Sequence, residues 1–431
     1  MSNLDKRFED AETLVGLPSR NPYSLPFAHR KLFAQHVEEF DLFIYTEDDI
    51  HITERHVDAF LDSQSLLNGD EIAGFLRSEV DPKGNRYITS IHHHFHWLVD
   101  SIVDRGGQKF ARLSNDHSGC FLATRDQLRV AIASGGFLVP PHAETYGMLE
   151  TAASDLYRNC GFRRLINLSR IDDFVLPHMP NKYYPVLGIA ESELRVHTET
   201  LQALEVNGGW KGRLISPASR APGFRWSMDL YSSEHHELLR KLPTAASKIL
   251  SIGSGNGSNE AWMQERGHEV LAIPIDAVFG AVLQNRGIPA IIAPFEQALQ
   301  QLSPRQFDAI VMADGLHLVP DPASWLRSLP KYLNRNGSVY ACVAHGGNRL
   351  EWIRDLCKEG SFQPLSSLFV RTGVHPVNPE MLRQWFREAG FQSPTIEPLL
   401  TERRRAIVER GFRHLAFELA SHFLVVAQAT H

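Results

Sequence analysis

At 431 residues the chain is too long for one ordinary hydrophobic core, and two domains are expected. Its balance of 43% hydrophobic and 22% charged residues is globular, and a formal net charge of −6 argues against general nucleic-acid binding, which calls for a basic face. No apolar run reaches the length of a membrane span, and the polar start Met1-Ser2-Asn3-Leu4-Asp5 lacks a signal-peptide core, so a cytoplasmic protein with no transmembrane segment is expected. Cys120, Cys160, Cys342 and Cys357 show no C-x-x-C spacing and read as reduced thiols.

The first feature that carries chemistry is Asp41–Ile50. An apolar strand, Leu42-Phe43-Ile44-Tyr45, runs into three carboxylates, Glu47, Asp48 and Asp49. Carboxylates at a strand's end can hold a divalent cation, and the cation can neutralise a pyrophosphate. Read by itself, an acidic triplet is also an ordinary solvated turn. Further on, His92, His93, His94 and His96 crowd one segment with Phe95 and Trp97 interleaved. His92, His94 and His96 could share a strand face as zinc ligands, or the run could line a polar acceptor groove.

Together with Leu25–Phe33, Ser118–Arg125 and Ile171–His178, the acidic motif resembles parts of the metal-dependent GT-A glycosyltransferases. The resemblance implies Mn2+ or Mg2+ and a sugar-nucleotide diphosphate at Glu47, Asp48 and Asp49, with His178 as a further metal ligand. It places donor sugar and acceptor near Ser118-Gly119 and asks for a carboxylate base, for which Glu144 and Glu150 both fit. Only Met1–Glu39 precede the acidic motif, without the β-α units that bind the nucleotide base in that family. Residues 1–200 are therefore expected to be a partial GT-A-like α/β domain, incomplete at its N-terminus, with reduced or no glycosyl transfer on its own.

Residues 201–235 read as a linker, because Gly-Gly, Pro-Ala-Ser and Ala-Pro-Gly clusters fall between Gly208 and Phe224. From 236 to 431, strands and helices alternate as in a parallel sheet covered on both faces. The predicted order is strand Ile249–Ile252, helix Asn259–Arg266, strand Val270–Ile275 and helix Ala277–Asn285, followed by strands Ala290–Ala293 and Phe307–Met312. Asp321-Pro322 starts another helix, Ser338–Val343 is a fifth strand, and Asn378-Pro379 caps a helix whose Leu382, Trp385 and Phe386 share one face. Ser421–Ala427 closes the sheet. An insertion of roughly His345–His375 interrupts the alternation.

Between the first strand and helix stands Gly253-Ser254-Gly255-Asn256-Gly257-Ser258. A strand that turns through glycines into a helix start presents unpaired N–H groups to a polar or anionic cofactor tail. Ser258 stands where a dinucleotide turn of the G-x-G-x-x-G kind needs its third glycine, which speaks against a nucleotide-dependent oxidoreductase. The G-x-G-x-G turn and the stretch Phe307–Pro322 make Lys248–Gln428 similar to the type 11 class I S-adenosyl-L-methionine (SAM) methyltransferases. The resemblance implies a Rossmann-like domain with a seven-stranded, mostly parallel sheet. It also implies SAM held by Gly253, Ser254, Gly255, Asn256 and Gly257, by Pro294 and Phe295 beside the adenine, and by Asp314 and Leu316. The family's ribose-binding acid falls on Pro274; either Asp276 swings in or the ribose is held differently. His317 is the candidate base for methyl transfer to a hydroxyl, or it only lines the cofactor loop.

The expected whole is an α/β protein of two domains, a SAM-dependent methyltransferase fused to a truncated glycosyltransferase-like domain. The pairing suggests O-methylation of a sugar in a glycan or a lipid-linked saccharide precursor of the cell envelope, in the cytoplasm or peripherally at the inner face of the membrane. Arg403, Arg404, Arg405, Arg410 and Arg413 could meet lipid-linked phosphates or form a solvated helix face. Two alternatives stand beside this reading: a bifunctional enzyme with active metal-dependent sugar transfer from a sugar nucleotide, and a non-catalytic glycan-binding scaffold.

Overall fold

The computed structural model describes residue 2 and residues 10–91, 94–144, 146–215, 228–231, 234–245, 247–346, 369–370 and 373–430. The chain divides into two compact units, Met1–Gly208 and Gly209–His431. Helix Glu191–Asn207 carries the first unit past the expected boundary at 200, and Gly208 ends it in a positive-φ turn. No helix among the described residues is long and apolar enough to cross a membrane.

The first unit contains helices α1 (His29–Gln35), α2 (Glu54–Gln64), α3 (Arg125–Ala133), α4 (Met148–Arg158), α5 (Tyr184–Leu187) and α6 (Glu191–Asn207). Its strands are β1 (Leu42–Thr46), β2 (Glu71–Ala73), β3 (Leu76–Val80), β4 (Arg86–Ile88), β5 (Trp97–Arg105), β6 (Gln108–Leu113), β7 (Cys120–Thr124), β8 (Arg163–Asn167), β9 (Val175–Pro177) and β10 (Ile189–Ala190). They form three small sheets: the antiparallel pair β1-β7 and the orders β2-β8-β6-β5 and β10-β4-β3-β9. Parallel pairing within these sheets is confined to β2 with β8 and β3 with β9. Buried Phe60, Phe75, Trp97, Phe110 and Phe174 fill the core. Arg30 of α1 and Asp155 of α4 form a buried ion pair at 2.7 Å that fixes these helices to each other.

The second unit is one sheet with helices on both faces. Its elements are α7 (His236–Leu239), β11 (Lys248–Ser254), α8 (Ser258–Glu265), β12 (Glu269–Pro274), α9 (Ala277–Asn285), α10 (Phe295–Leu302), β13 (Phe307–Ala313), α11 (Pro322–Ser328) and β14 (Leu333–Ala344), followed by α12 (Pro379–Glu388), β15 (Thr395–Leu399), α13 (Glu402–Glu409) and β16 (His422–Gln428). The order is β12-β11-β13-β14-β16-β15, with β16 antiparallel to both neighbours. The connection reverses between β11 and β13, the switch point at which open α/β sheets bind ligands beyond their carboxyl ends.

Against the expected seven strands, the sheet has six among the described residues. Residues Ala290–Ala293 shrink to a single parallel bridge, Ala272 with Ala290. Pro289 and Pro294 stand just outside the segment and lack the N–H groups a longer ladder needs. The helix caps follow the sequence directly. Asp321 accepts from Ser324 N–H, and Asn378 accepts from Glu380 and Met381 N–H.

Candidate functional site

In the second unit the glycine turn lies where the sequence places it, between β11 and α8 at the switch point. Gly253 and Gly257 adopt φ of +80° and +88°, a region costly for other residues. The three glycines serve different ends. A Cβ at Gly253 would meet nothing within 4 Å, so its face of the turn is open. At Gly255 a Cβ would come within 2.6 Å of the Leu230 carbonyl, and at Gly257 within 2.8 Å of Leu283. Approach to a cofactor therefore does not account for all three; Gly255 is small because the backbone at Leu230 packs on it. The same carbonyl accepts from Asn256 N–H at 3.1 Å, and Asn256 Oδ1 accepts from Ser258 N–H. Beneath the turn, Ser254 Oγ donates to Ser251 Oγ, which donates to the buried Glu260 carboxylate.

Asp276 turns inward. Its Oδ1 accepts from Val278 and Phe279 N–H at 2.9 and 3.1 Å as the cap of α9, and the residue is buried. Burial pushes its pKa up, with Arg213 acting the other way. Oδ1 is thus engaged by the start of α9, and Pro274 at the end of β12 carries no hydrogen-bonding side chain. Pro294 is the N-cap residue of α10, and the ring of Phe295 is buried against Trp325, stacked at 3.8 Å between centroids. Phe295 therefore presents little surface to a ligand.

Asp314 follows β13 with φ of +55°, a left-handed conformation that Asp tolerates better than most side chains, and its N–H donates to the Cys342 carbonyl. Its carboxylate lies 3.5 Å from His422 Nε2 and 3.9 Å from His235 Nε2. His422 opens β16 opposite Ala344, the last residue of β14, so it stands at the sheet's carboxyl edge. His235 precedes α7, with its N–H donating to Asn259 of α8. A cavity of about 350 Å³ borders this group, lined by His235, His236, Glu237, Arg240, Cys342 and Leu399. Burial pushes the Cys342 thiol well up, and the charge of Asp314 adds to it.

Leu316 and His317 lie in the tight turn that follows Asp314, and both are fully buried. His317 is thus enclosed beneath the chain that would have to expose it, and its carbonyl accepts from His375 N–H. The partly exposed imidazoles near Asp314 are His235 and His422, at 19% and 30%. Sequence reasoning missed both. They sit 79 positions before and 108 after Asp314 (314 − 235 and 422 − 314), and no local spacing links them.

In the first unit the acidic motif lines a cavity of about 620 Å³ together with Tyr45, Arg77, His117, Glu150, His178 and Tyr183. Glu47, Asp48, Asp49 and His178 all reach it; of the two base candidates Glu150 does and Glu144 does not. Burial pushes the Glu47 carboxyl up to about 7, with Arg77 opposing and Asp49, Glu150 and Asp48 reinforcing the rise. His178 is clamped between two carboxylates, Nε2 at 3.2 Å from Asp49 and Nδ1 bonded to Glu79. Glu79 also accepts from Tyr183 and Tyr184 N–H. Among the described residues no three His, Cys, Asp or Glu side chains converge as metal donors. The Mn2+ or Mg2+ set of Glu47, Asp48, Asp49 and His178 therefore does not fit as it stands, because both nitrogens of His178 face carboxylates. In the histidine-rich segment, His96 is buried with Nδ1 against the His94 carbonyl, while His92 and His93 lie outside the described residues.

Residues 225–394 match the family model of a methyltransferase domain. Among characterised relatives, a ubiquinone biosynthesis O-methyltransferase of Pseudomonas aeruginosa is 27% identical over 158 residues, covering 34% of this chain and 66% of the relative. An uncharacterised methyltransferase of Mycobacterium bovis is 29% identical over 117 residues, covering 27% of this chain and 47% of the relative. The chain thus spans just under two thirds of the length of the Pseudomonas relative it matches. Among solved structures, phosphoethanolamine N-methyltransferase 2 of Haemonchus contortus in complex with SAM aligns at 13% identity and a TM-score of 0.35, over 46% of this chain and 53% of that one. With its sheet order, its glycine turn at the switch point and the matching family model, the second unit has the class I SAM-dependent methyltransferase fold.

Proposed function

We propose that the second unit transfers the methyl group of SAM to a hydroxyl oxygen of its acceptor. The observation that carries this reading is the glycine turn standing at the switch point of a methyltransferase sheet, with the open face of Gly253 as the cradle. SAM, when bound, supplies an electrophilic methyl on a good leaving group. Gly253, Ser254 and Asn256 would hold it at the turn, with Asp314 at the neighbouring strand end.

An attacking hydroxyl has to lose its proton, and the group suited to receive it is an imidazole backed by a carboxylate. His422 and His235 beside Asp314 form such a group, and His235 lines the 350 Å³ cavity. We assign the base to this cluster in place of the enclosed His317. That the Pseudomonas relative is an O-methyltransferase supports oxygen as the acceptor atom.

A sugar hydroxyl of a glycan or lipid-linked saccharide, handled on the cytoplasmic side, is the finer reading. It draws on the GT-A-like segments of the first unit. The bifunctional alternative, metal-dependent sugar transfer, is disfavoured by the donor geometry around His178. Calorimetry with SAM, S-adenosylhomocysteine and NAD tests the cofactor. Label transfer from methyl-labelled SAM to saccharide fractions, against catechol-type phenols as controls, tests the acceptor. Tight binding of NAD with none of SAM would refute the first part, and label appearing only on phenols the second.

A further inference from the structure

We infer that the connection between β15 and β16, residues 400–421, is a docking surface for an anionic lipid bilayer. The inference stands on this connection alone, and only its bearing on the acceptor rests on the methyl-transfer reading.

β15 and β16 are antiparallel neighbours, and such strands are commonly joined by about two to five residues. Here Ser421 N–H donates to the Leu399 carbonyl and closes the base of a much longer excursion. It holds α13, a positive-φ turn at Gly411 and a 3-10 turn at Arg413–Leu415. None of residues 401–419 is buried. A helix of eight residues is marginal in water unless one face is packed, so an element built this way calls for a partner to cover it.

Two observations select the partner. The first is charge. In a chain of net charge −6, Arg403, Arg404, Arg405, Arg410 and Arg413 gather within this one excursion. Arg404 turns back and donates to the Leu419 and Ala420 carbonyls. No ion pair or side-chain hydrogen bond engages Arg403, Arg405, Arg410 or Arg413 among the described residues. The second is apolar exposure. Ile407, Phe412 and Phe417 stand among these arginines at 42%, 50% and 38% exposure. Arg403, Ile407 and Arg410 recur at helical spacing and share one side of α13, while Glu402 and Glu409 share another. Arginines beside exposed aliphatic and aromatic side chains match lipid phosphates together with the margin of the acyl layer. A soluble phosphate would use the arginines only. A nucleic acid could also stack on Phe412, but Ile407 offers it nothing.

The position of the excursion adds a consequence. Leu399 and Ala344 each lie opposite His422, so the chain leaves the sheet at its carboxyl edge, where the glycine turn and Asp314 also stand. A bilayer docked on α13 therefore meets the edge proposed for methyl transfer, and the acceptor is one presented at a membrane surface.

The test is co-sedimentation of the full chain with vesicles of phosphatidylcholine alone and of phosphatidylcholine and phosphatidylglycerol in roughly equal parts. The chain should bind the anionic vesicles and not the neutral ones, and raising NaCl from about 0.1 to about 0.5 M should release it. The double variant Arg403→Gln/Arg410→Gln should lower the partition about twentyfold. Phe412→Ser should lower it about tenfold. Both sites are exposed, so thermal melting and SAM affinity should stay at the parent values; if the first pair shifts melting, Arg405→Gln/Arg413→Gln takes its place. Four results would overturn the inference: no binding to anionic vesicles; equal binding to neutral ones; binding that either variant leaves at the parent level; or capture of an RNA oligonucleotide with none of the vesicles. SAM affinity is read on the same samples, so failure here is separate from failure of the methyl-transfer reading.

Discussion

Both units end a strand in a carboxylate that faces histidine, and the surroundings of the two differ. Asp49, beyond β1, meets His178, whose other nitrogen is bonded to Glu79 and whose side chain is only 3% exposed. Asp314, beyond β13, meets His235 and His422 at longer range; both imidazoles are partly exposed, and His235 lines a cavity. The first arrangement is a clamp: an imidazole held from both sides fixes backbone position and has no nitrogen left for a metal or a proton in transit. The second leaves room for the ring to approach a third group. The same residue types, at the same kind of strand end, thus suit structure in one unit and chemistry in the other.

The largest effect should follow from closing the turn on which the second arrangement depends. Gly257→Val places a branched side chain at φ of +88° and within contact of Leu283, so the backbone of the turn has to shift. We expect SAM affinity to fall about a hundredfold or more and stability to fall by about 2–3 kcal/mol. Calorimetry and thermal melting read the two separately. Retained SAM affinity would place the cofactor elsewhere and remove the basis for contrasting the two histidine groups.

A sharper cut compares histidines within the second unit. His422→Gln should lower kcat by about 10²–10⁴ with SAM affinity unchanged, the range for loss of a general base. If His235 is the acting base, His235→Gln shows that loss and His422→Gln does not; either outcome keeps the assignment within the cluster. His317→Gln, at a fully buried site, should instead lower the melting temperature with little effect on kcat. The reverse pattern would return the base to His317.

Much of the second unit was legible in its sequence. Helix Ala277–Asn285 lies as predicted, and the caps at Asp321 and Asn378 make the bonds their residue types imply. Such features are local: a capping side chain reaches only two or three residues along the chain. What escaped was set by distance or by competition. His422 reaches Asp314 only because β16 runs back antiparallel beside β14, and His235 comes from the segment before α7, which is tied to Asn259 of α8. Asp276 had two possible partners, a ligand and its own helix, and sequence could not rank them. In the first unit the alternation of strand and helix is weak, and among the described residues ten strands divide among three sheets. There the acidic motif could be seen, but not the inward pull of Glu79 on His178.

On the clamped side of the comparison, Glu47 gives a pH signature. Burial raises its carboxyl from the ordinary 4.5 to about 7, so the folded protein binds this proton more tightly than the unfolded chain does. The associated stability is complete below about pH 4.5, declines as pH rises, and is gone above about pH 7. Glu47→Gln removes that decline. Relative to the parent, the variant should gain about 2 kcal/mol between pH 5 and pH 8, a value reduced from the full shift because the side chain is partly exposed. Urea unfolding at the two pH values measures it, and parallel pH profiles for parent and variant would show that the carboxyl is not perturbed.

The smallest expected change decides what Asp276 does. As the cap of α9, its carboxylate satisfies two backbone N–H groups, and Asp276→Ala should cost about 1 kcal/mol. Asp276→Asn keeps an oxygen for those donors and should recover most of that loss. SAM affinity should change less than threefold in both, because Oδ1 of the carboxylate is already engaged by the two N–H groups of the helix start. A ribose ligand would behave otherwise: removing a charged acceptor from two hydroxyls costs about 2–3 kcal/mol, a thirtyfold or greater loss. Stability and affinity therefore separate the roles. A large affinity loss with normal stability in Asp276→Asn would mean that the carboxylate leaves its helix when the cofactor binds.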